Sequence, residues 1–115
     1  MGELTGIARF RFHEGGVEEF KRLSAICLEI VREQDTGTLA YETYFNANES
    51  EAIVVERYRD SQALLDHGEH LAHLMEPIIA TADVHGELLG DPSPELLARF
   101  SADGPVQLFF PYAAL

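Results

Sequence analysis

The order of its strand-like and helical runs predicts an α+β protein built on one β-α-β-β-α-β unit, the split-βαβ or ferredoxin-like arrangement, with an extra C-terminal helix and strand. The strand-like runs fall over residues 4–13, 39–46, 52–58 and 83–90, and apolar residues recur every three or four positions over 17–34 and 61–79. A further observation concerns the sheet faces. Ile7, Ala40 and Tyr44 lie opposite Phe10, Tyr41 and Phe45, and Ile53 and Val55 lie opposite Val54 and Tyr58. A sheet half open to water alternates apolar with polar residues, so both faces here need cover. Two helices cover only one, and the simplest cover for the other is a second copy of the chain, a homodimer.

The first strand carries Ala8, Phe10 and Phe12 on one face, and Glu14-Gly15-Gly16 ends it. In the helix that follows, Phe20, Leu23, Cys27, Ile30 and Val31 share a side. Glu18 and Glu19 in its first turn and Arg32 in its last suit the helix dipole, and the helix should stop before Thr36-Gly37. The second strand presents Leu39, Tyr41, Thr43 and Phe45 together, and residues 46–50 form a hairpin loop. A short β-branched strand, 52–58, leads into the second helix, for which Ser61 is the expected N-cap. Pro77 should kink or restart that helix near Glu76. The fourth strand holds Val84, Leu88 and Leu89.

Residues 1–90 therefore read as the core domain and 91–115 as an extension packed on the same domain or across the dimer. The extension has a short helix over 95–100, a turn at Asp103-Gly104-Pro105 and a last strand over 106–110. Phe109 and Phe110 are expected to be buried, because exposed they would leave a large apolar area in water.

The second helix holds three of the five histidines. At about 100° per residue, Leu64, Leu71, Leu74, Met75 and Ile78 make one apolar stripe, and His67 falls inside it. His70 lies near the border of the stripe and His73 on the watery side. Histidines three residues apart are neighbours on a helix, but no H-E-x-x-H pattern accompanies them, so no metal site is expected. No glycine-rich phosphate fingerprint follows a strand either.

Eight Lys and Arg against twenty Asp and Glu give a net charge of −12. That excludes a basic nucleic-acid footprint and disfavours adhesion to an anionic membrane. No apolar run approaches the roughly 20 residues of a membrane span, and the N-terminus has no signal-peptide pattern, so a cytoplasmic location is expected. Cys27 is alone in the sequence and reads as a small buried thiol.

G-T-L-A-Y-E-T-Y-F at 37–45 and E-A-I-V-V-E-R-Y-R-D-S-Q-A-L-L-D-H at 51–67 resemble the antibiotic biosynthesis monooxygenase family, small dimeric α/β-barrel proteins that include quinol monooxygenases. The likeness covers residues 4–90. It rests on Gly37 four residues before Tyr41, on the E-R-Y-R-D-S passage from strand to helix, and on His67. It implies a homodimer with a pocket between each sheet and its own helices, and oxidation of hydroxylated aromatics by oxygen with no metal or flavin. Haem-degrading relatives of this fold use an asparagine on the first strand and a tryptophan near the end of the third. This chain has neither, Tyr58 standing at the aromatic position, so no haem is expected.

The resemblance thus implies a cofactor-free monooxygenase acting on a small quinol or polyketide-like aromatic. His67 would take the substrate's proton, as a histidine whose pKa burial lowers and keeps neutral at pH 7. Tyr41 and Tyr58 would bind the substrate oxygens, and Leu64, Leu71 and Met75 would keep water out. The alternative is a dimeric module of the same fold that binds a small aromatic or apolar ligand without chemistry, since fold alone does not give function. A second polar group across a cavity from His67 favours the first reading, and a histidine packed solid against leucines the second.

Overall fold

A computed structural model of the chain describes residues 2–115. Its elements are β1 (Leu4–Phe12), α1 (Gly16–Gln34), β2 (Thr38–Phe45), β3 (Glu51–Tyr58), α2 (Ser61–Ile79), β4 (Ala82–Leu89), α3 (Pro94–Leu97) and β5 (Val106–Phe109). The sheet order is β2-β3-β1-β4-β5. The first four strands pair antiparallel in the ferredoxin-like order, and β5 adds a parallel edge strand beside β4. The protomer fold is thus the one the periodicities predict.

Both long helices lie on one face of the sheet, and two buried clusters hold them there. Phe10, Phe20, Leu23, Cys27, Val54, Leu71 and Ile78 belong to the larger. At its end the rings of Phe10, Phe12, Phe20 and Phe45 meet with centroids 4.9–6.2 Å apart, contacts that add about 0.5–1.5 kcal/mol per pair beyond burial. The smaller cluster is Leu4, Leu65, Leu88 and Leu96, with Val106 and Leu108 packed against it. Along each element the residues between the clusters are small or polar. On β1 they are Gly6 and Ala8, on β4 Gly86, on β3 Glu56, and on α2 His67 and Gly68. All six line one cavity, a gap that exists because the chain places little side-chain volume there.

Local details depart from the sequence reading for identifiable reasons. Asp60, not Ser61, caps α2, its carboxylate accepting the Ala63 N–H at 2.9 Å. Ser61 is the first helical residue, and its hydroxyl accepts the Ser93 N–H at 2.9 Å, tying the extension to α2. Pro77 does not interrupt α2, which continues to Ile79. The register shifts between Thr38 and Ala40, which turns Leu39 away from the Tyr41 face and leaves it exposed. In the extension α3 ends at Leu97. Phe109 and Phe110 are not buried, being 45% and 58% exposed. Leu96 and Leu108 supply the packing expected of them, because on β5 it is Leu108 that faces the smaller cluster.

Candidate functional site

A cavity of about 360 Å³ lies between the sheet and the two long helices. Phe10, Phe20, Val54, Leu71 and Ile78 make much of its wall, and Phe100, Pro105 and Val106 of the extension close it on the β4 side. Polar groups gather where Glu56 and Tyr58 of β3, Tyr41 of β2 and His67 of α2 converge.

His67 is the centre of that group. Its Nδ1 is 2.7 Å from Asp35 Oδ2 and its Nε2 is 3.3 Å from Glu56 Oε1, so the ring sits between two carboxylates. The Tyr58 hydroxyl donates to the same Glu56 oxygen. The Tyr41 and Tyr58 rings flank the imidazole, with centroids at 5.6 and 5.2 Å. Asp35 is held from further sides, since Thr38 Oγ1 donates to Oδ2 and His70 Nδ1 lies against Oδ1, each at 2.6 Å. Side-chain exposure is 3% at Asp35 and 8% at His67, against 29% at His70.

Asp35 reaches this place because it is the C-cap of α1. A helix C-terminus carries partial negative charge and disfavours a carboxylate, so the N–H donors around Asp35 balance an otherwise unfavourable position. Gly37 lets the loop approach α2, as a Cβ there would come within 2.5 Å of the Ala63 Cβ. Glu56 reaches the cavity by strand alternation, following Ala52 and Val54 on the helix-facing side.

These contacts reverse the expected effect of burial on His67. Desolvation pulls the imidazole pKa down, but hydrogen bonds and charge from Glu56, reinforced by Asp35, carry it above its ordinary value. His67 is therefore biased toward imidazolium rather than the neutral form. At Asp35 burial pushes upward, yet the bonds from Thr38, His70 and His67 bring the carboxyl below its ordinary value. Tyr41 and Tyr58 are pushed up, first by desolvation and then by the charge of Glu56, so both stay protonated hydrogen-bond donors. Burial raises the Cys27 thiol as well.

His67, Tyr41, Tyr58, Leu64, Leu71 and Met75 all border this cavity. Leu71 is buried, whereas Met75 is partly exposed and stands at the rim. The sequence reading missed Asp35, Glu56, Thr38 and the contact of His70. A signal for two of them was present: an acid at the C-terminal end of α1, and a charged residue on an otherwise apolar strand face. Among the described residues no group of three or more His, Cys, Asp and Glu side chains is disposed to hold a metal ion.

Fold and site together define a small α+β pocket protein with a buried histidine held between carboxylates. The family model described as antibiotic biosynthesis monooxygenase matches residues 4–75, and the chain belongs to that family. Among solved structures, MupZ from Pseudomonas fluorescens is 24% identical with a TM-score of 0.77, the alignment covering 100% of this chain and 90% of that one. Rv0793 from Mycobacterium tuberculosis is 22% identical with a TM-score of 0.69, covering 79% of this chain and 96% of that one. PA3566 from Pseudomonas aeruginosa is 23% identical with a TM-score of 0.66, covering 76% and 92%. At these identities the likeness speaks for the fold. The alignment with MupZ extends through the C-terminal extension. No curated protein matches the sequence.

Proposed function

We propose that the protein is a cofactor-free monooxygenase that oxidises a small hydroxylated aromatic, quinol-like or polyketide-like, with molecular oxygen. The observation that supports this is the His67–Glu56 pair at the polar end of an otherwise apolar cavity. Both His67 and Tyr58 contact Glu56 through Oε1, which leaves Oε2 for a ligand. In this reading Glu56 accepts the phenolic proton through Oε2, since the shift of His67 is toward its protonated form. His67 and Tyr58 hold the carboxyl in place through Oε1, and Tyr41 donates a hydrogen bond to the aromatic oxyanion. The anion is a far better reductant than the phenol. One electron passes from it to oxygen, the two radicals combine at ring carbon, and loss of water leaves a quinone. One oxygen atom stays in the product and the other departs in water, so substrate and O₂ alone balance the reaction.

The same reading takes the protein to be a homodimer in which the uncovered sheet face meets its copy. Ile7, Ile53, Val55 and Tyr44 lie on that face by strand alternation and register, along with the Arg9–Glu87 ion pair.

Glu56→Gln is the informative variant. It keeps the size and polarity of the side chain and removes the base, whereas His67→Ala would also remove the ring that stands between the Asp35 and Glu56 carboxylates. With a reactive quinol, Glu56→Gln should lose about 10²–10⁴-fold in oxygen consumption while still binding the quinol. Full activity in this variant would remove the proposed base. A native protein that binds aromatics but consumes no oxygen would instead be the non-catalytic ligand-binding module.

A further inference from the structure

Asp35 is shared. Its Oδ2 meets His67 at 2.7 Å and its Oδ1 meets His70 at 2.6 Å, one oxygen for each ring. The three groups differ in their access to water. Asp35 and His67 are nearly sealed, while the His70 ring is 29% exposed and has Nε2 left for solvent. His67 and His70 are three residues apart on α2, so their rings project from neighbouring positions of one helix face onto one carboxylate.

We infer that His70 is a positioning residue for the site, which holds Asp35 against His67 and makes the hold of Asp35 on His67 follow the protonation of the solvent-facing ring. A neutral His70 gives Asp35 one N–H and leaves most of its charge to His67. A protonated His70 draws the carboxylate toward itself, and the attraction between Asp35 and His67 weakens. Acidification outside thus reaches the cavity through a single shared anion, without any movement of the backbone. Other titratable groups face His67 from each element around it. They are Glu56 and Tyr58 from β3, Tyr41 from β2 and, behind Tyr41, Cys27 from α1. On α2 itself Asp66 and His73 lie one turn to either side of His70. None of these touches both histidines as Asp35 does.

The inference deepens the acid–base reading of the pocket, but its test uses ligand-free protein and so stands apart from any assay of turnover. The imidazole resonances of His67 are followed against pH by NMR in the native protein, His70→Ala and His70→Gln. In the native protein the His67 curve should show a second, smaller inflection at the pH where His70 titrates. In His70→Ala that inflection should vanish, and the proton affinity of His67 should rise at least about threefold, because Asp35 is no longer divided. In His70→Gln the amide donor restores an N–H to Asp35 without a titrating group, so the affinity should return toward native while the inflection stays absent. A native curve with one inflection, or a His67 affinity unchanged or lowered in a folded His70→Ala protein, would overturn the inference.

Discussion

His67 shows how one residue's behaviour follows from what surrounds it. An apolar helix stripe alone implies a lowered imidazole pKa, and two carboxylates reverse that direction. The consequence for stability depends on the sign of each shift. His67 has a raised native pKa, so its contribution is complete below its unfolded value near 6.5 and is lost as pH rises through the higher native value. Asp35 has a lowered one, so its contribution is complete above its unfolded value near 3.9 and is lost as pH falls through the lower native value. Both are complete only between about pH 4 and pH 6.5. Thermal unfolding followed across pH should give the highest Tm in that mildly acidic window, and His67→Gln should flatten its alkaline side. A Tm that keeps rising through pH 8 in the native protein would contradict the upward shift of His67.

Among the elements, the extension after β4 contributes most beyond the core unit. Its β5 pairs with β4 from Gly86 to Leu89, and Leu96 of α3 is buried among Leu4, Leu65 and Leu88. It therefore acts as part of the core and as one wall of the cavity. Leu96→Ala should lower unfolding free energy by about 2–5 kcal/mol, the usual cost of a buried leucine cavity, measured by denaturant titration. Removal of everything after Asp91 should cost more and reduce solubility, since it also uncovers the edge of β4. A truncated chain that melts at the native temperature would show that the extension is merely laid on the surface.

For the whole molecule the deciding feature is the sheet face opposite the two long helices. If the face meets its copy, sedimentation equilibrium at micromolar concentration should give twice the 12.8 kDa protomer mass, and Ile53→Asp should shift the protein toward monomer. A native monomer would overturn the sheet-to-sheet dimer. Phe109, Phe110 and Tyr112 of the extension are exposed and add further apolar area to the surface.

The strands, the two long helices and the place of His67 on the buried side of α2 were legible in the sequence, because hydrophobic period records which face of an element meets the core. The period also put Leu64, Leu71 and Met75 on one stripe with His67. It could not give the partners of His67, since Asp35 is 32 positions away and Glu56 lies on another element, β3, and a one-dimensional pattern carries no distance between elements. It misplaced Leu39, because a shift of register inverts a side chain without leaving a trace in composition, and it buried Phe109 and Phe110, whose neighbour Leu108 has the inward position. The small residues at Gly6, Ala8, Gly68 and Gly86 were in plain view, but only packing brings them opposite one another and turns three missing side chains and one lone methyl into a cavity. Sequence therefore determined the fold and the histidine, through periodic burial. The tertiary structure alone decided the direction in which that histidine's pKa moves and the space before it, because both depend on which distant residues the fold sets side by side.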